Sequence, residues 1–242
     1  MAITITKVLQ YIASFSSLLP LIFFFIFQRN NKSKELRVIS FYLIYTALND
    51  TIAFYLFQIA ELRPFFIYDI YVVVEFCLFS WFFYLIIINK KMKRLIPFLV
   101  LFFIIFSTAC HFLLPENTSF SSITSGIEAV LIIAMCIYYF FDQLKRPDSI
   151  LIYTSFNFWI IISFLIYLSG TFFLNIYADS LITSKAFIKQ YIFINSSFVI
   201  FRAILLCVAM LMKPNEKPNQ NIFPEDSLNT DWNADQSLKN LN

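Results

Sequence analysis

Three residues place charge where charge is expensive. Asp50, Glu75 and Arg202 each sit inside a long run of apolar side chains. Moving an ionised group into hydrocarbon costs several kcal/mol unless it is paired or neutralised, so each marks a candidate functional site. At 1.5 Å rise per residue each lies roughly 15 to 18 Å from the outer end of its helix, near a bilayer midplane, where the three can meet. Two carboxylates against one guanidinium leave one negative charge over. Either Asp50 or Glu75 is therefore expected to hold a proton or take a bound cation. The competing reading is structural: Arg202 and one acid form an ion pair that fixes helix packing.

The neighbouring positions fit a polar centre. Tyr191, Asn195, Phe198 and Arg202 recur at i, i+4, i+7 and i+11 along one helix face. Tyr68, Tyr71 and Glu75 share another face, and Thr46, Asn49 and Asp50 cluster on a third helix. Nearer the outside, Asp69, Glu128 and His111 join the tyrosines as an expected acidic, aromatic-lined vestibule, suited to a small cationic or hydroxyl-rich ligand. Polar tips at a water interface also need no special role.

Other chemistries find little here. His111 is the only histidine, so His-based metal clusters are not expected, and nothing places a nucleophile beside it for a Ser-His-Asp arrangement. There is no phosphate-cradling glycine loop, and neither enzymatic activity nor a cofactor is expected. A retinal protein needs a lysine in its last span, where this chain has Arg202, whose guanidinium cannot form the Schiff base. Cys77, Cys110, Cys136 and Cys207 lie in apolar segments without disulfide or metal spacing and read as small hydrophobes.

The elements that position these groups follow from composition. The 242 residues are 60% hydrophobic, 20% aromatic and 14% charged, with a mean hydropathy of +0.74; ordinary soluble domains carry about 25% charged residues. Only two glycines, Gly126 and Gly170, are present, which argues against tight-turned β structure. Runs such as 71–88 are apolar on every side, unlike the alternating strands of a barrel. The expected fold is an all-α polytopic membrane bundle of seven transmembrane helices: Leu9 to Phe27, Val38 to Ala60, Phe65 to Ile88, Leu95 to Leu114, Ile127 to Leu144, Ile150 to Tyr177 and Lys189 to Met212. Pro64, Pro115, Pro147 and Pro214 fall just outside spans and Pro97 in a first turn, while Pro20 is expected to kink the first helix. The first stretch lacks a convincing cleavage site and is counted as a helix.

Thirteen of the 18 Lys and Arg residues fall on one side of this arrangement, in three connections and the tail, and four on the other. Basic residues stay cytoplasmic, so the N-terminus is expected outside and the C-terminus inside. The net charge of +3 thus reports orientation and makes no case for nucleic acid. Residues 1–212 form the membrane domain, and the polar tail 213–242 is expected to be disordered. No connection has room for an output domain, which would then sit on another chain.

Four stretches carry a resemblance: YVVVEFCLFSWFF from Tyr71, GIEAVLIIAMCIYYFFDQL from Gly126, FWIIISFLIYLSGTFFL from Phe158 and INSSFVIFRAILLCVAML from Ile194. They resemble a family of uncharacterised seven-helix bacterial inner-membrane proteins, similar to membrane-sensing modules of bacterial signalling proteins. Positions matched to it are Glu75, Glu128, Trp159, Tyr167, Gly170 and Asn195; Arg202 is not matched. The resemblance implies a bacterial cytoplasmic-membrane location and a sensing role. The expected function is a membrane sensor or accessory signalling module: an outward-opening pocket around Glu75, Glu128 and Asn195 takes a small ligand, and the basic inner loops signal to a cytoplasmic protein. The alternatives are a small proton-coupled transporter, working through Asp50 or Glu75, and a structural membrane subunit.

Overall fold

A computed structural model describes residues 2–29, 31, 33–58, 65–113, 120–145, 152–181 and 185–212. In hydrocarbon a chain must satisfy its own backbone, so long apolar stretches fold as helices. α1 (Ala2–Ser16), α2 (Leu18–Phe23) and a π-helical turn Phe24–Gln28 make up the first stretch. They are followed by α3 (Lys34–Gln58), α4 (Phe65–Ile86), α5 (Lys90–Leu113), α6 (Phe120–Leu144), α7 (Phe156–Leu181) and α8 (Lys185–Leu211). Six stretches are long and apolar enough to cross a membrane: Thr6–Gln28, Asp69–Ile86, Lys90–Phe112, Ile123–Leu144, Phe156–Leu174 and Phe187–Leu211. α3 has 25 residues, as α6 does, but Lys34, Glu35, Arg37, Asn49 and Asp50 lower its apolarity.

The first stretch breaks where its proline demands it. Pro20 has no N–H to give to the carbonyl four residues earlier, at Ser16, and Ser16 is the last residue of α1. Ser17 keeps helical backbone angles (φ −64°, ψ −22°) before α2 begins. The interruption is thus a missing hydrogen bond within a nearly continuous helical path.

Several ends differ from the expected ones. α4 stops at Ile86, short of Ile88, because Asn89 starts the next helix: its Oδ1 accepts the Lys91 N–H at 2.9 Å and its carbonyl the Lys93 N–H at 2.9 Å. α5 therefore begins at Lys90 and carries the basic run in its first turn, ahead of Leu95. α6 begins at Phe120 where Ile127 was expected. α7 starts at Phe156 after a 3₁₀ turn, Ile152–Thr154, tied to it by the Trp159 Nε1–H bond to the Tyr153 carbonyl at 2.7 Å. The expected ends at Ala60, Leu114 and Ile150, and the tail from Lys213, lie outside the described residues.

The helices close a ring. The first stretch packs on α8, α8 on α7, α7 on α6, α6 on α4, α4 on α3, and α3 back on the first stretch. α5 lies outside it against α4 and α6; only 17% of its most apolar 18 residues are buried, against 50% of Asp69–Ile86. The outer faces are apolar, with Phe98 and Phe112 of α5 at 69% and 80% exposure. Such surfaces suit lipid and no aqueous solvent.

The ring has a lock at one end. The buried Gln28, in the π turn, donates from Nε2 to the carbonyls of Met210 and Met212, both at 2.8 Å. These belong to the end of α8, whose last carbonyls have no helical partner. Gln28→Leu is expected to cost about 1–3 kcal/mol and to speed amide exchange at 210–212 while leaving the α7–α8 packing intact. Unchanged exchange there means Gln28 does not hold the helix end.

Candidate functional site

The site is assembled from five helices of the ring. On α4 the four-residue spacing puts Tyr71 and Glu75 on one face, and both are buried, Glu75 to 4% exposure. Tyr42 comes from α3 and donates its hydroxyl to Glu75 Oε1 at 3.0 Å. Arg202 comes from α8, also buried, and its Nη1 lies 3.4 Å from the same oxygen. Tyr71 adds a second hydroxyl beside this carboxylate and stacks on Tyr45, centroids 5.8 Å apart.

Arg202 is also held from a third side. Its guanidinium carbon sits 4.1 Å from the ring centre of Tyr167 and 5.7 Å from that of Phe164, both on α7. A desolvated guanidinium over an aromatic face gains about 2 kcal/mol. That offsets part of the cost of leaving water but neutralises no charge.

Glu128, from α6, completes the set. It is 3% exposed, its Oε1 has no hydrogen-bond partner from the protein, and it interacts electrostatically with Glu75 and Arg202. Its depth corrects the sequence expectation, which grouped it with Asp69 and His111 near the surface. α6 starts at Phe120, so Glu128 lies about two turns inside the helix instead of at its mouth. Asp69 and His111 meet separately, 3.9 Å apart, between the first turns of α4 and the last turn of α5.

Of the expected residues, then, Glu75, Arg202, Glu128 and Tyr71 come together. Asp50 is half-buried on α3, two turns beyond Tyr42, beside Ser17 and within the field of Arg202. Asn195 is half-buried on α8, and among the described residues no hydrogen bond ties it to the centre. A cavity beside the centre has walls from the first stretch, α3 and α8, and neither Glu128 nor Asn195 lines it. Tyr42 was missed, although Tyr42, Thr46 and Asp50 at four-residue spacing form a polar stripe that marks it. The role of Tyr167 lay in a contact between helices, which spacing along one helix does not carry.

No family model, curated protein or solved structure matches this chain. The chemistry must therefore be argued from the centre itself. Two buried carboxyls face one guanidinium, and Glu75 takes the pairing. An ionised Glu128 would be an uncompensated charge in a low-dielectric interior, costing several kcal/mol. Glu128→Gln is accordingly expected to leave thermal stability unchanged or raised, whereas Glu75→Gln lowers it by removing the partner of Arg202. Equal losses in the two variants would show that both acids pair equally with the guanidinium.

Proposed function

We propose that this chain is a seven-span membrane sensor or accessory signalling module in which the charge state of the Glu75, Glu128 and Arg202 centre sets how the helices pack. The observation that carries this reading is that two buried carboxyls, one paired with Arg202 and one unpartnered, face a single guanidinium where five helices meet. A proton or small cation gained or lost there changes the attraction holding α4, α6 and α8 together, and the ring transmits the change to its ends. A buried pair of this kind does not add much stability over apolar packing, so its use is specificity or switching.

α3 is the seventh span in this reading. Its 25 residues cover about 37 Å, more than the roughly 30 Å of bilayer hydrocarbon, and it fills one side of the ring with Val38, Ile39, Tyr42 and Leu43 buried. Asp50 is then a mid-membrane residue. The asymmetry of Lys and Arg puts the N-terminus outside and the basic connections, with the tail, in the cytoplasm. The partner is a cytoplasmic signalling protein meeting those basic connections, and the membrane, by the resemblance noted above, is the bacterial inner membrane.

Spin labels at the inner ends of α4 and α8, in the full chain in nanodiscs, test the reading. Across an acid-to-neutral series the distance distribution is expected to shift, and to stop shifting in Glu128→Gln. A distribution that never moves sinks the sensor. The second reading, a small proton-coupled transporter, is favoured by the unpartnered Glu128 Oε1, which suits a carboxyl that alternates between states. Proton uptake coupled to a solute in proteoliposomes, and lost in Glu75→Gln, would select it.

A further inference from the structure

Beside the charge centre, between the first stretch, α3 and α8, lies a cavity with about 10 Å³ open to the centre of a water, close to the smallest that holds one. Ser16, Ser17, Pro20, Tyr42, Thr46 and Arg202 are on its wall. Ser17 and Thr46 are 7% and 3% exposed, and their hydroxyl oxygens have no protein partner in hydrogen-bond geometry, although Asp50 lies beside Ser17 and Tyr42 beside Thr46. A helical hydroxyl in an apolar setting ordinarily bonds back to a carbonyl three or four residues earlier. Ser16 does so to Ala13 at 2.7 Å, Thr51 to Ala47 at 2.7 Å and Thr171 to Tyr167 at 2.8 Å. Ser17 and Thr46 do not, although a return bond would spare them an unmet polar group costing about 1–3 kcal/mol.

Two hydroxyls and the arginine side chain on the wall supply the two to four partners a buried water needs. A metal cation is disfavoured because Arg202 stands on the wall and like charges repel strongly in a weak dielectric. An apolar guest would leave the hydroxyls unmet.

We infer that this cavity is a resident-water site, and that its water joins Asp50 to Glu75 in one proton-exchanging file running through Ser17, the water and Tyr42. The inference rests on the proposed reading that the centre gains and loses a proton. The half-buried Asp50 is the outer end, beside Ser17, and Tyr42, on the cavity wall, donates to Glu75 Oε1 at 3.0 Å. In transfer, Asp50 loses its carboxyl proton, Ser17, the water and Tyr42 each accept one and release one, and Glu75 Oε1 receives the last; one proton moves and nothing is oxidised. Groups facing Glu75 are Tyr42 of α3, Tyr71 of its own helix, Glu128 of α6, Tyr167 of α7 and Arg202 of α8.

The test is infrared difference spectroscopy of the full chain in nanodiscs, following hydrogen–deuterium exchange of the carboxylic C=O band that disappears in Glu75→Gln or Glu128→Gln. Thr46→Val, which keeps the shape and removes the hydroxyl, is expected to slow that exchange about tenfold. Ser17→Ala should do the same, and Thr46→Ser should restore the parent rate. Parent rates in both Thr46→Val and Ser17→Ala would overturn the relay and leave the proposed function standing. A parent chain without any exchanging carboxylic band would overturn the proton-holding centre itself, and the relay with it.

Discussion

Replacing Arg202 with methionine is expected to lower the stability of the protein by about 3–5 kcal/mol, the cost of leaving a buried ion-pair partner uncompensated. Methionine approximates the arginine stem and still packs on Tyr167 and Phe164, so the loss is electrostatic rather than steric. Glu75 keeps its Tyr42 hydrogen bond, which is far from enough to hold a full charge in this setting. The decisive comparison is the triple variant Arg202→Met, Glu75→Gln and Glu128→Gln, in which no ionisable group of the centre remains. It should recover most of the loss, because groups acting on one another are not additive. Reversible denaturation in mixed micelles reads both values. If Arg202→Met unfolds where the parent does, the ion pair contributes nothing to the fold and the charge centre is not what positions α8.

The second large effect is steric. A Cβ added at Gly170 of α7 would overlap the ring of Phe198 on α8, with three ring atoms in conflict. Close approach of two helices through a small residue is the common way to gain packing where apolar burial supplies no drive, since lipid is as apolar as the interface. Gly170→Ala is expected to cost about 1–3 kcal/mol by overpacking, and Gly170→Val more. Phe198→Leu introduced alongside Gly170→Ala should return stability toward the parent. At Gly126 the nearest atom to an added Cβ is Ile176 Cγ1, at 3.3 Å, and alanine there should be much milder. Equal effects at the two glycines would indicate that the α7–α8 contact is not the constraint.

What could be read in advance divides along physical lines. The apolar stretches and their approximate ends were legible because a helix in hydrocarbon is specified by its own side chains and needs no partner to be recognised. Pro20 was legible for the same reason, since a missing N–H is a local fact, and α1 ends at Ser16. Ends were misread where local chemistry at an interface decides. Ser121, Ser122, Thr124, Ser125 and Gly126 resemble a loop, yet the helix runs through them from Phe120, and that displaced Glu128 from the core in the sequence reading. Glu75 and Arg202 were found because charge in an apolar run is conspicuous. Tyr42 was not, because one tyrosine among 13 has no such contrast, and its role exists only once α3 lies against α4.

The pairing of Glu75 with Arg202 spans 127 residues of chain. A ribosome adding about 5–20 residues each second reaches Arg202 roughly 6–25 s after Glu75. A carboxyl of α4 that reached hydrocarbon within that interval would have no guanidinium yet made to meet it, and the neutral acid is the form that can wait there. In a chain that inserts in order of synthesis, a proton on Glu75 is expected to stand in for the arginine until α8 arrives and Arg202 takes its place beside that carboxyl.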